Sequence, residues 1–336
     1  MSRRGVGGCM VLVLFAVLAG GCGRPMEESR ADRSAITELA RKIDGSARRI
    51  ESRTRRLAET TAQTYYDADV IISGVNTGNY REAAGGVYYK AVDDGGAALW
   101  VSGVVPVDDT IRRVAWATEG IDDALRAMLK ESPAVVQAYY NDRHSLNRIY
   151  PPFDVLSQYE PRMNIPDFNF YYLADETNNP DRKVVWVDEP YVDPAGRGWM
   201  VSCIAPVHVS NTLMGVVGLD VTVDGIVENF LRPEHRAWAL VDRKGTIVAA
   251  TEIAIEHLRM PPLTDHRYIN TVRSDRYRSE DYNMRQSPSA EVRQLAAAVL
   301  DEAGPQVARL AGPEGERLVL TEPIPALGWV ALLVVD

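Results

Sequence analysis

Lys183–Val223 reads KVVWVDEPYVDPAGRGWMVSCIAPVHVSNTLMGVVGLDVTV, and the fold turns on this stretch. Three runs rich in Val, Ile and Trp are divided by Asp193-Pro194-Ala195-Gly196-Arg197-Gly198 and by Ser210-Asn211-Thr212. That pattern predicts three consecutive strands joined by two tight turns, an antiparallel meander. Side chains alternate across a strand, so Tyr191 and Asp193 leave the first strand on one face. Asp220, in the third strand, shares a face with Val216, Gly218 and Thr222.

An ionised carboxylate in an apolar strand is costly to bury unless it is paired, hydrogen-bonded or turned to a wet cavity. Asp220 sits in such a strand, and Gly215 and Gly218 beside it leave room for a ligand or another backbone. Two readings of Asp220 stand at this point. It is either a ligand-facing group, or a structural one that caps the turn before a helix at Gly225–Leu231 or pairs with an arginine.

The order Pro190-Tyr191-Val192-Asp193, a small-residue turn, a strand ending Ala205-Pro206-Val207, and then Gly215-Val216-Val217-Gly218-Leu219-Asp220 resembles the double Cache family of bacterial extracellular sensor domains. The resemblance is good over about residues 133–231. It implies an α+β fold in which a long N-terminal helix carries two antiparallel-sheet, PAS-like subdomains. In the amino-acid- and amine-binding branches, the tyrosine and aspartate of the first strand and the aspartate of the last contact the ligand's ammonium group. The resemblance thus implies those roles for Tyr191, Asp193 and Asp220. Amino-acid-binding members also carry an arginine, then an aromatic pair, that hold the ligand carboxylate. The matching stretch here, Asp167-Phe168-Asn169-Phe170-Tyr171-Tyr172-Leu173-Ala174, has the aromatics and lacks the arginine; Arg162 and Arg182 are the candidates to fold back in its place. The expected pocket holds Asp193 and Asp220, enclosed by Tyr191, Tyr171 and Trp186, and suits an amine or amino-acid-like ligand.

At the N-terminus, Arg3 and Arg4 precede the apolar run Met10–Leu18, which is too short to span a bilayer and reads as a removable targeting segment over Met1–Gly21. Small residues end at Cys22 in a pattern that resembles a bacterial lipobox, which implies a lipid on Cys22 and attachment to a membrane without spanning it. An ordinary signal peptide cut nearby is the other reading. Of the three cysteines, Cys9 leaves with the leader and Cys22 carries the lipid. Cys203 remains alone in mid-strand as a small core residue, and no disulfide is expected. The formal net charge is −9, and loss of Arg3 and Arg4 makes the mature chain more acidic, which argues against nucleic acid as a partner.

Residues 22–33 read as a polar tether. From Ser34 to about Ser73, Ile36, Ile43, Ile50, Leu57, Thr64 and Ile71 recur every seven residues, which predicts one long amphipathic helix within a helical region to residue 85. Its exposed Arg and Lys residues read as a solvated face. Its apolar stripe is either a dimer seam or, as the resemblance implies, a spine packed along both subdomains. Residues 76–106 show no period; Asp108 and Asp109 offer an N-cap for a helix through Lys130. Strands are predicted at Ala134–Tyr140 and Leu146–Tyr150, around the turn Asn141–Ser145. Together with the meander they make a five-stranded antiparallel sheet in a membrane-distal, ligand-binding subdomain over residues 86–232. Arg232-Pro233-Glu234 reads as a boundary. Beyond it, over residues 233–336, come a hairpin (Trp238–Val241, Thr246–Ala249), a helix Pro288–Glu302 with Ser287 as N-cap, and strands Arg317–Thr321 and Val330–Val335, a smaller membrane-proximal subdomain. The chain stops at Asp336, so no second membrane helix or output module is expected to follow.

For chemistry, the sequence has no His-Glu-x-x-His, Gly-x-Ser-x-Gly or phosphate-binding glycine loop, and its five histidines have no metal-ligand spacing. No enzyme activity, cofactor or metal is expected. Two classes remain. One is an exported lipoprotein, facing the periplasm or cell exterior, that binds a ligand with a cationic nitrogen and reports to a membrane signalling partner, as in chemotaxis and other sensing. The other is an interaction module of the envelope without a ligand.

Overall fold

The computed structural model describes residues 29–187, 190–193, 199–232, 235–261, 279–313 and 315–335. The leader Met1–Gly21, Cys22, the tether as far as residue 28, the turn after Asp193 and the Pro233-Glu234 pair lie outside the described residues.

Helix α1 (Arg30–Tyr66) is nucleated by Ser29, whose side chain accepts from the Asp32 amide. It therefore starts inside the expected tether, because polar side chains do not oppose a helix once its first turn is capped. Ile36, Ile43, Ile50, Leu57 and Thr64 form its buried stripe, as the seven-residue period requires. At Asp67 the backbone leaves helical geometry and restarts as α2 (Ala68–Gly74), so the expected helix to Ser73 is two helices. The stripe packs on both sheets of the chain. Near the N-terminal end, Arg33 Nη1 donates to Thr321 O at 3.2 Å and Asp44 Oδ1 accepts from the Ala326 amide at 2.8 Å. Near the other end, the Tyr65 and Tyr140 hydroxyls meet at 2.5 Å.

The first sheet contains β1 (Tyr80–Glu82), β2 (Tyr88–Lys90), β3 (Ala98–Val101), β4 (Gln137–Asp142), β5 (Leu146–Tyr150), β6 (Val185–Trp186), β7 (Tyr191–Val192), β8 (Trp199–Val209) and β9 (Thr212–Thr222). The order is β1-β2-β3-β5-β4-β9-β8-β6, with β7 also on β8. Among the described residues nine strands replace the expected five, because β1–β3 are too short, at three or four residues, to print a period on their Gly- and Tyr-rich stretch. The first run of the meander is two short strands, and Pro190 between them has no N–H to give the ladder. One face of the sheet carries α1 together with α3 (Asp109–Ala117) and α4 (Asp122–Glu131). Asp108 caps α3, with Oδ1 accepting from Ile111 N at 2.9 Å; a tight turn at Thr118–Ile121 splits the helix expected through Lys130. The opposite face is covered by α5 (Val155–Gln158), α6 (Asn169–Tyr172) and their flanking loops. After β9, Thr222 caps α7 (Val223–Ile226) by accepting from Gly225 N at 3.0 Å.

The second sheet runs β11-β10-β14-β13-β12, from β10 (Ala237–Val241), β11 (Ile247–Ala250), β12 (Val307–Gly312), β13 (Gly315–Ile324) and β14 (Trp329–Val335). Helices α8 (Glu252–Leu258) and α9 (Ala290–Leu300) fill one face of it. Ser289, rather than the expected Ser287, caps α9.

Two hairpins share one local device. Asp142 Oδ1 accepts from the amides of His144 and Leu146, both at 2.8 Å, and Ser145 takes φ 61°. Asp242 Oδ1 accepts from the Thr246 amide at 2.8 Å, and Gly245 takes φ 100°.

Candidate functional site

Strand alternation decides which side chains meet. On the face of the first sheet away from α1, Gln137, Tyr139 and Asn141 of β4 stand opposite Asp220, Gly218 and Val216 of β9, and Ser202 of β8 stands opposite Asp220. Tyr191 of β7 pairs with Met200, one alternation along β8 from Ser202. Of these, Gln137, Tyr139, Asn141, Tyr191 and Asp220, together with Asp193, with Asn147 and Ile149 of β5, with Phe170 of α6 and with Tyr159, Met163 and Ile165 from the covering loops, line a narrow cavity of about 20 Å3. That is room for one small group.

Asp193 is 2% exposed and Asp220 is fully buried. Gln137 joins them: its Nε2 donates to Asp220 Oδ2 at 2.5 Å and to Asp193 Oδ1 at 3.4 Å. Ser202 Oγ donates to Asp220 Oδ1 at 2.5 Å, and the Tyr191 and Ser202 hydroxyls meet at 2.6 Å, so a short chain of hydroxyls leads to the carboxylate. Burial, and then the Asp220 charge, pushes the Tyr139 and Tyr191 phenols well above the ordinary tyrosine value, and both stay neutral O–H groups. Phe170 packs edge-on to Tyr139, with centroids at 6.1 Å, and tilts against Tyr191 at 5.4 Å. The cavity thus has an acidic end under an aromatic wall. Toward the other end, Asn147 Nδ2 donates to Asn141 Oδ1 at 2.7 Å.

Of the five residues expected to line the pocket, Tyr191, Asp193 and Asp220 come together and two do not. Trp186 pairs with Cys203, whose side chain faces α1; its indole N–H donates to Glu51 at 3.1 Å, and it lines an apolar crevice with Ile50, Val201 and Trp329. One step of strand alternation puts it on the wrong face. Tyr171 is buried beside the cavity but belongs to the Asp142 end, where burial and the Asp142 charge raise its phenol. Adjacent helical positions diverge by about 100°, so Phe170 takes the cavity and Tyr171 does not. Neither candidate arginine lines it: Arg162 donates to Gly103 O, and Arg182 to Asn211 Oδ1. The helix-capping reading of Asp220 also fails, since Thr222 caps α7. Cys203 is a fully buried free thiol whose ionisation burial suppresses, in line with a core role. Among the described residues, no three His, Cys, Asp or Glu side chains converge as a metal ion would need.

Gln137, Tyr139, Ser202 and Phe170 were missed by the sequence reading. The available signal was register: Gln137 is the polar residue that opens the strand facing Asp220, visible only once β4 is paired with β9.

No family model matches the sequence, and no curated protein does. Solved structures do. The extracellular domain of mmHK1S-Z2, described as a histidine kinase, is 14% identical, with 91% of this chain and 97% of that one covered at a TM-score of 0.51. The ligand-binding domain of the Pseudomonas aeruginosa PAO1 amino acid chemoreceptor PctC, solved with GABA, is 14% identical over 90% of this chain and 97% of that one, TM-score 0.50. A spine helix, two antiparallel sheets strung along it and this pairing of the central strands give the chain the double Cache fold of bacterial extracellular sensor domains.

Proposed function

We propose that this chain is an exported sensor, anchored by a lipid on Cys22, that binds a small molecule carrying a cationic nitrogen and reports its occupancy to a membrane signalling partner. The observation that carries the reading is the pair Asp193 and Asp220, both buried, facing one cavity and bridged by a single amide. Two neighbouring carboxylates repel when ionised, and a cation between them removes that cost while donating charge-assisted hydrogen bonds. The Tyr139, Phe170 and Tyr191 rings beside them attract the same charge. The aspartate pair serves binding, not acid–base catalysis. A domain of the same fold holds GABA, itself a primary amine.

Thermal unfolding in the presence of amines, amino acids and small carboxylates tests the reading, because a ligand bound only by the native state raises the melting temperature by mass action. Amines at millimolar concentration should raise it and carboxylates should not. No shift with any amine would turn the assignment to a ligand-free interaction module of the envelope.

A further inference from the structure

Gln137 occupies the acidic end of the cavity and is 2% exposed. Its amide nitrogen reaches both carboxylates, at 2.5 and 3.4 Å, while its Oε1 is buried and has no partner among the described residues. The orientation is dictated by chemistry, since the reverse would press a carbonyl oxygen against two carboxylates. A carboxamide carries donors at one end and an acceptor at the other, and its terminal torsion is broad and two-fold, so a half-turn exchanges them. Asp220 and Gln137 are direct cross-strand partners, which holds the pivot in place.

We propose that Gln137 is an exchangeable member of the site and makes it selective for a primary ammonium. This rests on the cation-binding reading above and deepens it. With no cation present, the Gln137 N–H groups donate to Asp193 and Asp220. When a ligand –NH3+ arrives, it takes those two carboxylates, and Gln137 turns over so that Oε1 accepts the third N–H. Three acceptors match the three donors of a primary ammonium. A tetramethylammonium ion donates none, so it offers no hydrogen bond to Oε1 or to the carboxylate oxygens that Gln137 would release.

Titration calorimetry of the full chain with methylammonium and tetramethylammonium chloride tests this on the unmodified protein, Gln137→Glu and Gln137→Leu. The unmodified protein should prefer methylammonium. Gln137→Glu keeps an acceptor and should bind methylammonium within threefold of the unmodified protein or more tightly, with a lower melting temperature when ligand-free. Gln137→Leu should lose at least tenfold for methylammonium and most of the discrimination. Unchanged or tighter methylammonium binding by Gln137→Leu would make Gln137 a plug and overturn the proposal. If Gln137→Leu does not fold, a tenfold loss in Gln137→Glu overturns it equally. A folded unmodified protein that binds neither methylammonium nor GABA sinks the cation-binding reading itself, and this inference with it.

Discussion

Tyr139 rests on Gly218: the two are direct partners across β4 and β9, and a methyl group added to Gly218 would stand 2.2 Å from Tyr139 Cζ. The glycine that the sequence offered as space for a ligand is space for this ring, which in turn forms the cavity wall. Gly218→Ala must therefore displace the ring. It should destabilise the protein by about 1–3 kcal/mol in guanidinium titrations and weaken amine binding. Unaltered stability with unaltered affinity would mean that the ring relocates freely.

Truncating one member of a desolvated charge pair costs roughly 2–5 kcal/mol, and each factor of ten in affinity is about 1.4 kcal/mol. Asp220→Ala and Asp193→Ala should each lose at least tenfold in affinity for the best amine by calorimetry on folded variants. Wild-type affinity in both would remove these carboxylates from the site.

Trp186 offers the converse. Its side chain lies on the α1 face, bonded to Glu51, and away from the cavity. Trp186→Phe should cost about 1–2 kcal/mol in stability and leave amine affinity within twofold. A selective loss of binding would place the indole at the ligand after all.

Asp142 is fully enclosed, and burial lifts its carboxyl to about 7 against the pull of its two backbone donors. The native state then holds this proton more tightly than the unfolded chain, so its contribution makes the protein more stable as pH falls from about 7 toward the usual aspartate range. Asp142→Asn keeps an acceptor without the charge. It should raise stability at pH 8 by roughly 1–3 kcal/mol and flatten the profile between pH 4 and 7. Denaturant titrations at pH 5 and 8 provide the comparison.

Cys22 is expected to carry the anchor. Cys22→Ser should move the protein from the membrane to the soluble fraction of cells. Retention on membranes after a high-salt wash would rule the lipid out.

How much of this was legible follows from what a single strand or helix can show. The stripe from Ile36 to Thr64 and the long apolar runs of β8 and β9 repeat often enough to reveal both type and facing side. Strands of three or four residues do not, and so β1–β3 were invisible. The carboxylates stood out because charge is rare in apolar strands. Their neutral partners, Gln137 and Ser202, carry no such mark and are brought to Asp220 only through pairing across the sheet. Trp186 and Tyr171 were misplaced by one position each, an error that a period of two or of 3.6 turns into the opposite face or the neighbouring direction.

The matching hairpins at Asp142 and Asp242 let the two sheets be laid over one another residue by residue. Gln137 stands five positions before Asp142 and faces Asp220; Ala237 stands five before Asp242 and faces Val334. Across the next strand, Ser202 faces Asp220 where Val319 faces Val334. Tyr139 over Gly218 becomes Ala239 over Leu332. Gln137, Asp220, Ser202 and Tyr139 thus have aliphatic counterparts, and that face of the second sheet is filled by α8 and α9. The molecule carries its own blank beside its written page: among the described residues one framework occurs twice, and the polar groups proposed for recognition stand on the first copy.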